Sequence, residues 1–213
     1  MNLNNKFVIT INRELGSGGR TVGRKLAEKL HVPYYDKALS LALQKKYHLT
    51  SEEIERLKGQ EQGWWADFKR KMTGSDAEFY VMKMGNEPEL LETEDVFRAE
   101  TEILKAIGKE ESCVIAGRSA FYVYRDHPNH LSILIQASML QRVARVAREQ
   151  NMTKDEARLT IDKVDTMREN YMNKFAHASR YDTRNYQLVL SMDELTEDAA
   201  VEIILNYIRG MEQ

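Results

Sequence analysis

The chain has 213 residues, of which 42% are hydrophobic, and this is enough for one globular domain with a buried core. Its 31 basic and 33 acidic residues occur in mixed order and give a net charge of −2, which argues against a nucleic-acid-binding surface or an acidic tail. No stretch approaches the ~18 consecutive apolar residues of a membrane span, and the polar start lacks the apolar core of a signal peptide. We therefore expect a cytoplasmic protein that binds neither nucleic acid nor membrane, as a monomer or weak homodimer.

The stretch from Phe7 to Leu30 predicts a strand, a loop and a helix. Phe7 to Ile11 is a short β-branched run, which is typical of a buried strand. After Gly19 the hydrophobic period becomes helical, because Val22, Leu26 and Leu30 are spaced by four residues.

The loop between this strand and this helix is rich in glycine. Its residues are Gly16, Ser17, Gly18, Gly19, Arg20 and Thr21. Where Cβ atoms are missing, successive backbone N–H groups can turn inward at a helix N-terminus and bind phosphate. Against the pattern G-x-x-x-x-G-K-[ST], the last glycine and the hydroxyl residue fit, whereas Glu14 replaces the first glycine and Arg20 replaces the lysine. A glycine-rich connection without a ligand is the alternative, and the strand and helix on either side favour phosphate.

Further elements follow in alternation. Val32 to Tyr35 predicts a second strand, with Asp36 at its carboxyl end, where ligand groups lie in open α/β sheets. The polar stretch 48–95 is interpreted as an insertion that folds over the site. Its Trp64-Trp65 pair could stack on a base, but packing against the main body is the more common role of such a pair.

Three further strands and their helices complete an α/β pattern. The remaining strands are predicted over 112–116, 131–135 and 186–190, and Cys113 in the first of these is a small core residue. Helices are predicted over 37–47, 96–107 and 199–208, after the capping residue Ser138, and from the Thr153/Glu156 capping box to about Met172. The polar residues 173–185 are predicted to form a mobile loop. We predict a three-layer α/β/α fold with a five-stranded, mostly parallel sheet.

Arginines repeat on the helix that begins after Ser138. Arg142, Arg145 and Arg148 share one face without interleaved acids, which favours an anionic ligand over a simply solvated face. On the next helix Asp165 and Arg168 lie three residues apart, for which an intrahelical salt bridge is the simplest explanation.

Several motifs together resemble the cytidylate kinase-like branch of the phosphate-loop nucleoside monophosphate kinases. In family order they are ITINRELGSGGRTVGRKLAEKL with VPYYDK, SCVIAGR, ASMLQRVARVAREQ and IDKVDTMR. The resemblance implies a phosphate-loop NTPase fold that transfers the γ-phosphoryl group of ATP to a nucleoside monophosphate, CMP-like or dCMP-like, or to a related small acceptor. It also implies Mg²⁺, which bridges the phosphates.

The resemblance further implies a single domain over 1–213 and a role for individual residues. The insertion 48–95 would bind the acceptor or act as a lid, and 138–185 would be a helical lid region. The residues implied to bind ATP are Gly16, Ser17, Gly18, Gly19, Arg20 and Thr21, with Thr21 also a metal ligand. Those implied to bind the acceptor are Asp36, Arg98, Arg118, Asp165 and Arg168. Those implied to act in catalysis are Arg20, Arg142, Arg145 and Arg168, and no protein base is required because the acceptor is already a phosphate oxygen anion.

Three departures from the family pattern keep a second function open. The family's Asp-Gly-Arg-Asp is Ala116-Gly117-Arg118-Ser119 here, Ile161 replaces an arginine, and the cytosine-contacting residues after Asp36 are not retained. The chain is therefore expected to be either a phosphotransferase or a catalytically weak nucleotide-binding sensor. The arginine set favours the phosphotransferase, since it is suited to a transferring phosphoryl group.

Overall fold

A computed structural model describes residues 1–36, 94–117 and 119–211. In these ranges five strands form one sheet in the order β2-β3-β1-β4-β5, and its strands run parallel. The strands are β1 (Val8–Arg13), β2 (Tyr34–Asp36), β3 (Cys113–Ala116), β4 (His130–Gln136) and β5 (Leu188–Ser191). The helices are α1 (Gly19–Leu30), α2 (Glu94–Glu110), α3 (Ala120–Val123), α4 (Met139–Gln150), α5 (Lys154–Ala176) and α6 (Glu197–Met211), and Thr183–Asn185 form a 3₁₀ turn.

The predicted α/β fold class is confirmed. Strand β1 is central, and its register pairs Ile11 with Ala116 of β3 and Arg13 with Ile135 of β4. Because the ladder with β4 continues to Arg13, β1 is longer than the predicted run from Phe7 to Ile11. The carboxyl end of β1 therefore lies at the start of the glycine loop.

The chain divides into two units, residues 1–35 with 103–213 and residues 36–102. In the first unit, Ile9 and Ile11 of β1 belong to one buried cluster with Val22 of α1 and Ile204 of α6. Helix α3 contacts β1, and α4 contacts α5. The predicted helix over 37–47, most of the insertion 48–95 and the Trp64-Trp65 pair lie outside the described residues.

Two helix starts follow the predicted capping chemistry. The Ser138 hydroxyl accepts a hydrogen bond from the Gln141 amide, at 3.5 Å. At α5, Thr153 and Glu156 form the reciprocal capping box, with the Glu156 amide donating to the Thr153 hydroxyl at 3.3 Å and the Thr153 amide donating to Glu156 at 2.8 Å.

The prediction of a loop over 173–185 is wrong for its first four residues, which are helical, and the mobility of the remainder stays a prediction. Helix α5 continues to Ala176, and His177 ends it in the left-handed conformation with φ 49°. The side chain of Arg180 is completely buried, and Tyr186 is 8% exposed. The polar composition of this segment suggested solvent, but the guanidinium of Arg180 is buried and pairs with residues of other elements, whereas Arg184 is exposed.

None of the helices in the described part of the chain has the length and apolar character of a membrane span. Cys113 lies in β3 and is fully buried, which agrees with its predicted place in the core. Burial raises the pKa of its thiol to about 12.

We therefore predict that Cys113 is unreactive in the native protein. Because only the thiolate attacks thiol reagents, its reaction at about pH 8 should be slower than that of an exposed cysteine by roughly three orders of magnitude. The rate of modification by a disulfide reagent, measured with and without urea, checks this. A native rate equal to the rate in urea would contradict the buried position.

Candidate functional site

The glycine loop has the backbone geometry that the sequence predicts. Gly16 has φ 81° and Gly18 has φ 83°, both in the left-handed region that favours glycine. Gly18 is the N-cap of α1 and carries no capping side chain. The Glu14 amide donates to the Ile135 carbonyl of β4 at 3.1 Å, so the sheet holds the beginning of the loop.

The loop also packs closely against helix α4. A Cβ on Gly16 would lie 2.8 Å from the Arg142 carbonyl oxygen, and one on Gly18 would lie 3.2 Å from the Arg145 guanidinium carbon. The loop is therefore confined between the end of β1 and α4. Glycine is required at 16 for space as well as for backbone conformation, whereas at 18 the Arg145 side chain would have to shift slightly.

The first turn of α1 is suited to an anion. It contains no acidic residue and carries Arg20, which is exposed, and Thr21, which is half-buried. The buried Ser17 hydroxyl donates to the Glu14 carbonyl at 2.9 Å, and this fixes the turn before the helix. Amide groups and the helix dipole thus present positive charge at the loop.

Arg142 lies beneath this loop and not on the surface. It is 5% exposed; its Nε donates to the Leu15 carbonyl at 2.8 Å, and its Nη1 lies 3.3 Å from Glu14 Oε1. Its Nη2 pairs with Asp165. Glu14, which replaces the first glycine of the phosphate-loop pattern, therefore serves as an ion-pair partner, and it also accepts from the Ala137 amide at 3.2 Å.

The carboxylate of Asp165 collects several donors. Besides Arg142, its Oδ1 accepts from the Leu15 amide at 3.2 Å, from Arg168 at 3.4 Å and from Arg180 at 3.1 Å. The predicted Asp165–Arg168 salt bridge is confirmed. The carboxylate is 9% exposed, so its charge is balanced by guanidinium groups and not by water.

The two other arginines of α4 have different surroundings. Arg145 is half-buried and its Nη1 lies 2.7 Å from Glu197 Oε1; this hydrogen bond lowers the pKa of the Glu197 carboxyl. Arg148 is exposed. The acids that seemed to be missing from this helix face come from other elements, so the absence of local acids is not by itself evidence for an anionic ligand.

The remaining predicted site residues lie elsewhere in the chain. Asp36 ends β2 and Arg98 is exposed on α2; both belong to the unit 36–102, so their proposed role as acceptor ligands stays a prediction. Arg118 lies outside the described residues.

Sequence reasoning missed Arg180, Glu14 and Glu197 as parts of the site. Arg180 contacts Asp165 and the end of β1, which are far from it in the chain. Glu14 was visible only as a departure from a motif, and Glu197 lies before the helix predicted over 199–208, although the structure places it in the first turn of α6. The charges of neighbouring residues in the sequence do not reveal ion-pair partners that come from distant parts of the chain.

The parallel sheet, the glycine loop at the end of its central strand and the helix that follows define a phosphate-loop protein with a kinase-like fold. The sequence profile of the cytidylate kinase-like family matches residues 8–194, so the chain belongs to that family. Family and fold together indicate a nucleotide kinase-like function. Comparison with curated proteins gives no match.

Solved structures share this fold. An uncharacterized protein from Eubacterium ventriosum is 24% identical with a TM-score of 0.66, and the match covers 97% of this chain and 99% of that one. Shikimate kinase from Bacteroides thetaiotaomicron is 16% identical with a TM-score of 0.51, over 95% of this chain and 98% of that one. At these identities the likeness shows the fold alone.

The loop geometry generates a stability prediction. Gly18→Ala should destabilise the protein by about 1–2 kcal/mol, because alanine in the left-handed region is strained and its Cβ approaches Arg145. Gly210→Ala is the matched control: a Cβ there would meet no atom within 4 Å, and alanine favours the helix. Urea unfolding of both variants checks this, and equal stabilities would contradict the described loop.

Proposed function

We propose that this chain is an ATP-dependent phosphotransferase that moves the γ-phosphoryl group to a nucleoside monophosphate, CMP-like or dCMP-like, or to a related small acceptor. One observation carries the proposal. Two glycines in the left-handed conformation, Gly16 and Gly18, lie between the carboxyl end of the central strand and the start of α1, and the first turn of α1 contains no acidic residue. That geometry directs backbone amides toward a bound phosphate. Family membership supports the nucleotide as the source of that phosphate.

The donor phosphates are assigned to the loop from Gly16 to Thr21. Gly16 and Gly18 give this loop its left-handed backbone turns, and Arg20 provides a charged side chain at the start of the helix. Arginine binds phosphate oxygens bidentately, so Arg20 can take the charge-neutralising role that lysine has in the usual motif.

Magnesium fits this site with few protein ligands. In the described ranges, no group of three or more His, Cys, Asp or Glu side chains is placed to hold a metal ion. Mg²⁺ commonly keeps water and substrate phosphates as ligands and uses one or two protein oxygens, so the Thr21 hydroxyl suits it. When bound, Mg²⁺ would neutralise charge on the phosphates.

The arginines divide into two groups by their exposure. Arg142 is buried and bonded to Leu15, Glu14 and Asp165, so we assign it to holding the loop. Arg145 is half-buried beside Gly18, and we assign it to the transferring phosphoryl group. A phosphate oxygen of the acceptor attacks the γ-phosphorus while the bond to the ADP oxygen breaks, so positioning and charge neutralisation provide the catalysis.

A nucleotide-binding sensor is the second candidate. The observation that favours it is that Arg142 and Arg145 both form ion pairs with acids of the chain itself. If Arg145 remains with Glu197 when nucleotide binds, the loop can hold phosphates without accelerating their transfer.

Arg145→Ala separates the two functions. For a phosphotransferase, turnover with ATP and Mg²⁺ should fall by about 10²–10³-fold, because the guanidinium stabilises charge that develops in the transition state. ATP affinity, measured by calorimetry, should change much less. Acceptors should be screened as a panel of nucleoside monophosphates, with ADP release as the readout.

Arg148→Ala is the matched control, since Arg148 lies one turn further on α4 and is exposed. It should leave turnover and affinity unchanged. If no acceptor gives a rate above background and Arg145→Ala lowers ATP affinity alone, the phosphotransferase assignment is wrong and the sensor stands.

A further inference from the structure

Arg180 is a buried cation in the connection between α5 and β5. Its side chain is completely inaccessible to solvent and is among the largest fully buried side chains of the described residues. A buried guanidinium is unfavourable unless its charge and its N–H groups are matched. The groups that Arg180 contacts therefore indicate the role of this side chain.

Those contacts lead to the entry of the glycine loop. Arg180 Nη1 lies 3.1 Å from Asp165 Oδ1, and Nη2 donates to the Arg13 carbonyl and, at 3.4 Å, to Asn12 Oδ1. Its Nε is buried without a hydrogen-bond partner in the described part of the chain. These contacts connect Arg180 to α5 and to the end of β1.

The backbone of Arg180 is fixed as firmly as its side chain. Its amide donates to Glu169 Oε2 at 3.0 Å, and its carbonyl accepts from the Tyr186 hydroxyl at 2.7 Å. The same hydroxyl accepts from the Asn12 side-chain amide. The backbone of Arg180 is thus held by α5 on one side and by Tyr186, which precedes β5, on the other.

Asp165 extends this support to the residue before the first left-handed glycine. Its Oδ1 accepts from the Leu15 amide at 3.2 Å, while Arg142 Nε donates to the Leu15 carbonyl at 2.8 Å. Both backbone groups of Leu15 and the carbonyl of Arg13 are therefore held by charged side chains. The direction in which the chain enters Gly16 depends on these bonds.

We propose that Arg180 is a positioning residue of the phosphate loop, which acts by fixing the Arg13 carbonyl and the Asp165 carboxylate that holds Leu15. In this role Asp165 supports the loop, and its expected contact with the acceptor stays a prediction. Loop amides stabilise a phosphate only when they are oriented before it arrives, so loosening this support weakens phosphate binding and transfer. The effect on binding and transfer rests on the proposed function, whereas the effect on the loop backbone does not.

Three variants test the proposal. Arg180→Ala removes the guanidinium. Arg180→Lys keeps the positive charge but lacks the planar guanidinium that can donate hydrogen bonds to two groups at once. Arg184→Ala is the matched control. Arg184 lies in the same connection, but its side chain is 88% exposed and pairs with Asp182.

The first readout needs no ligand. In the free protein, amide hydrogen exchange at 15–19 should accelerate at least about tenfold in Arg180→Ala, because the bond from Leu15 to Asp165 loosens. Arg184→Ala should exchange as the wild type does. If Arg180→Ala does not fold, Arg180→Lys provides the same comparison with the charge retained.

The second readout is chemical rescue. Guanidinium chloride at millimolar concentration should restore slow exchange and ADP affinity in Arg180→Ala, whereas sodium chloride at equal ionic strength should not. General destabilisation would not be rescued in this way, since guanidinium does not stabilise folded proteins.

The proposal is overturned if a folded Arg180 variant retains wild-type exchange at 15–19, or if rescue fails in Arg180→Ala while its melting temperature alone is lowered. If the wild type binds no ADP and transfers no phosphoryl group, the proposed function fails, and the exchange measurement still decides the positioning role.

Discussion

The site depends on one carboxylate, that of Asp165, which is enclosed by guanidinium groups from three elements. Arg142 of α4, Arg168 of α5 and Arg180 of the following connection all pair with it. Its remaining bond, from the Leu15 amide, links this charge cluster to the glycine loop. Without this carboxylate, the buried guanidinium groups of Arg142 and Arg180 would lose the partner they share. Breaking a buried ion pair in this way is strongly destabilising.

This constraint distinguishes the buried arginines from the more accessible ones. Arg142 bonds to the Leu15 carbonyl of the loop and Arg180 to the Arg13 carbonyl at the end of β1, and both side chains are buried. Arg20 is exposed, whereas Arg145 is half-buried and paired with Glu197. The two buried arginines therefore support the backbone that leads into the glycine loop, and a contact of Arg20 or Arg145 with a phosphoryl group stays a prediction.

The sequence alone predicted those features whose signal lies within a few neighbouring residues. Hydrophobic spacing located α1, and side-chain chemistry identified the caps at Ser138 and Thr153. The sequence did not predict ion pairs between residues that come together only in the folded chain. Arg180 lies 15 residues from Asp165 and 167 from Arg13, so its charge suggested a solvated loop when it is in fact buried.

Binding of nucleotide phosphate by this loop can be measured by a titration with ADP and Mg²⁺, followed by the amide resonances of isotopically labelled protein. We expect the largest saturable shifts at the amides from Gly16 to Thr21, and we expect adenosine, which lacks phosphate, to leave these resonances unshifted. Saturable shifts confined to other residues, or equal shifts with adenosine, would contradict this expectation.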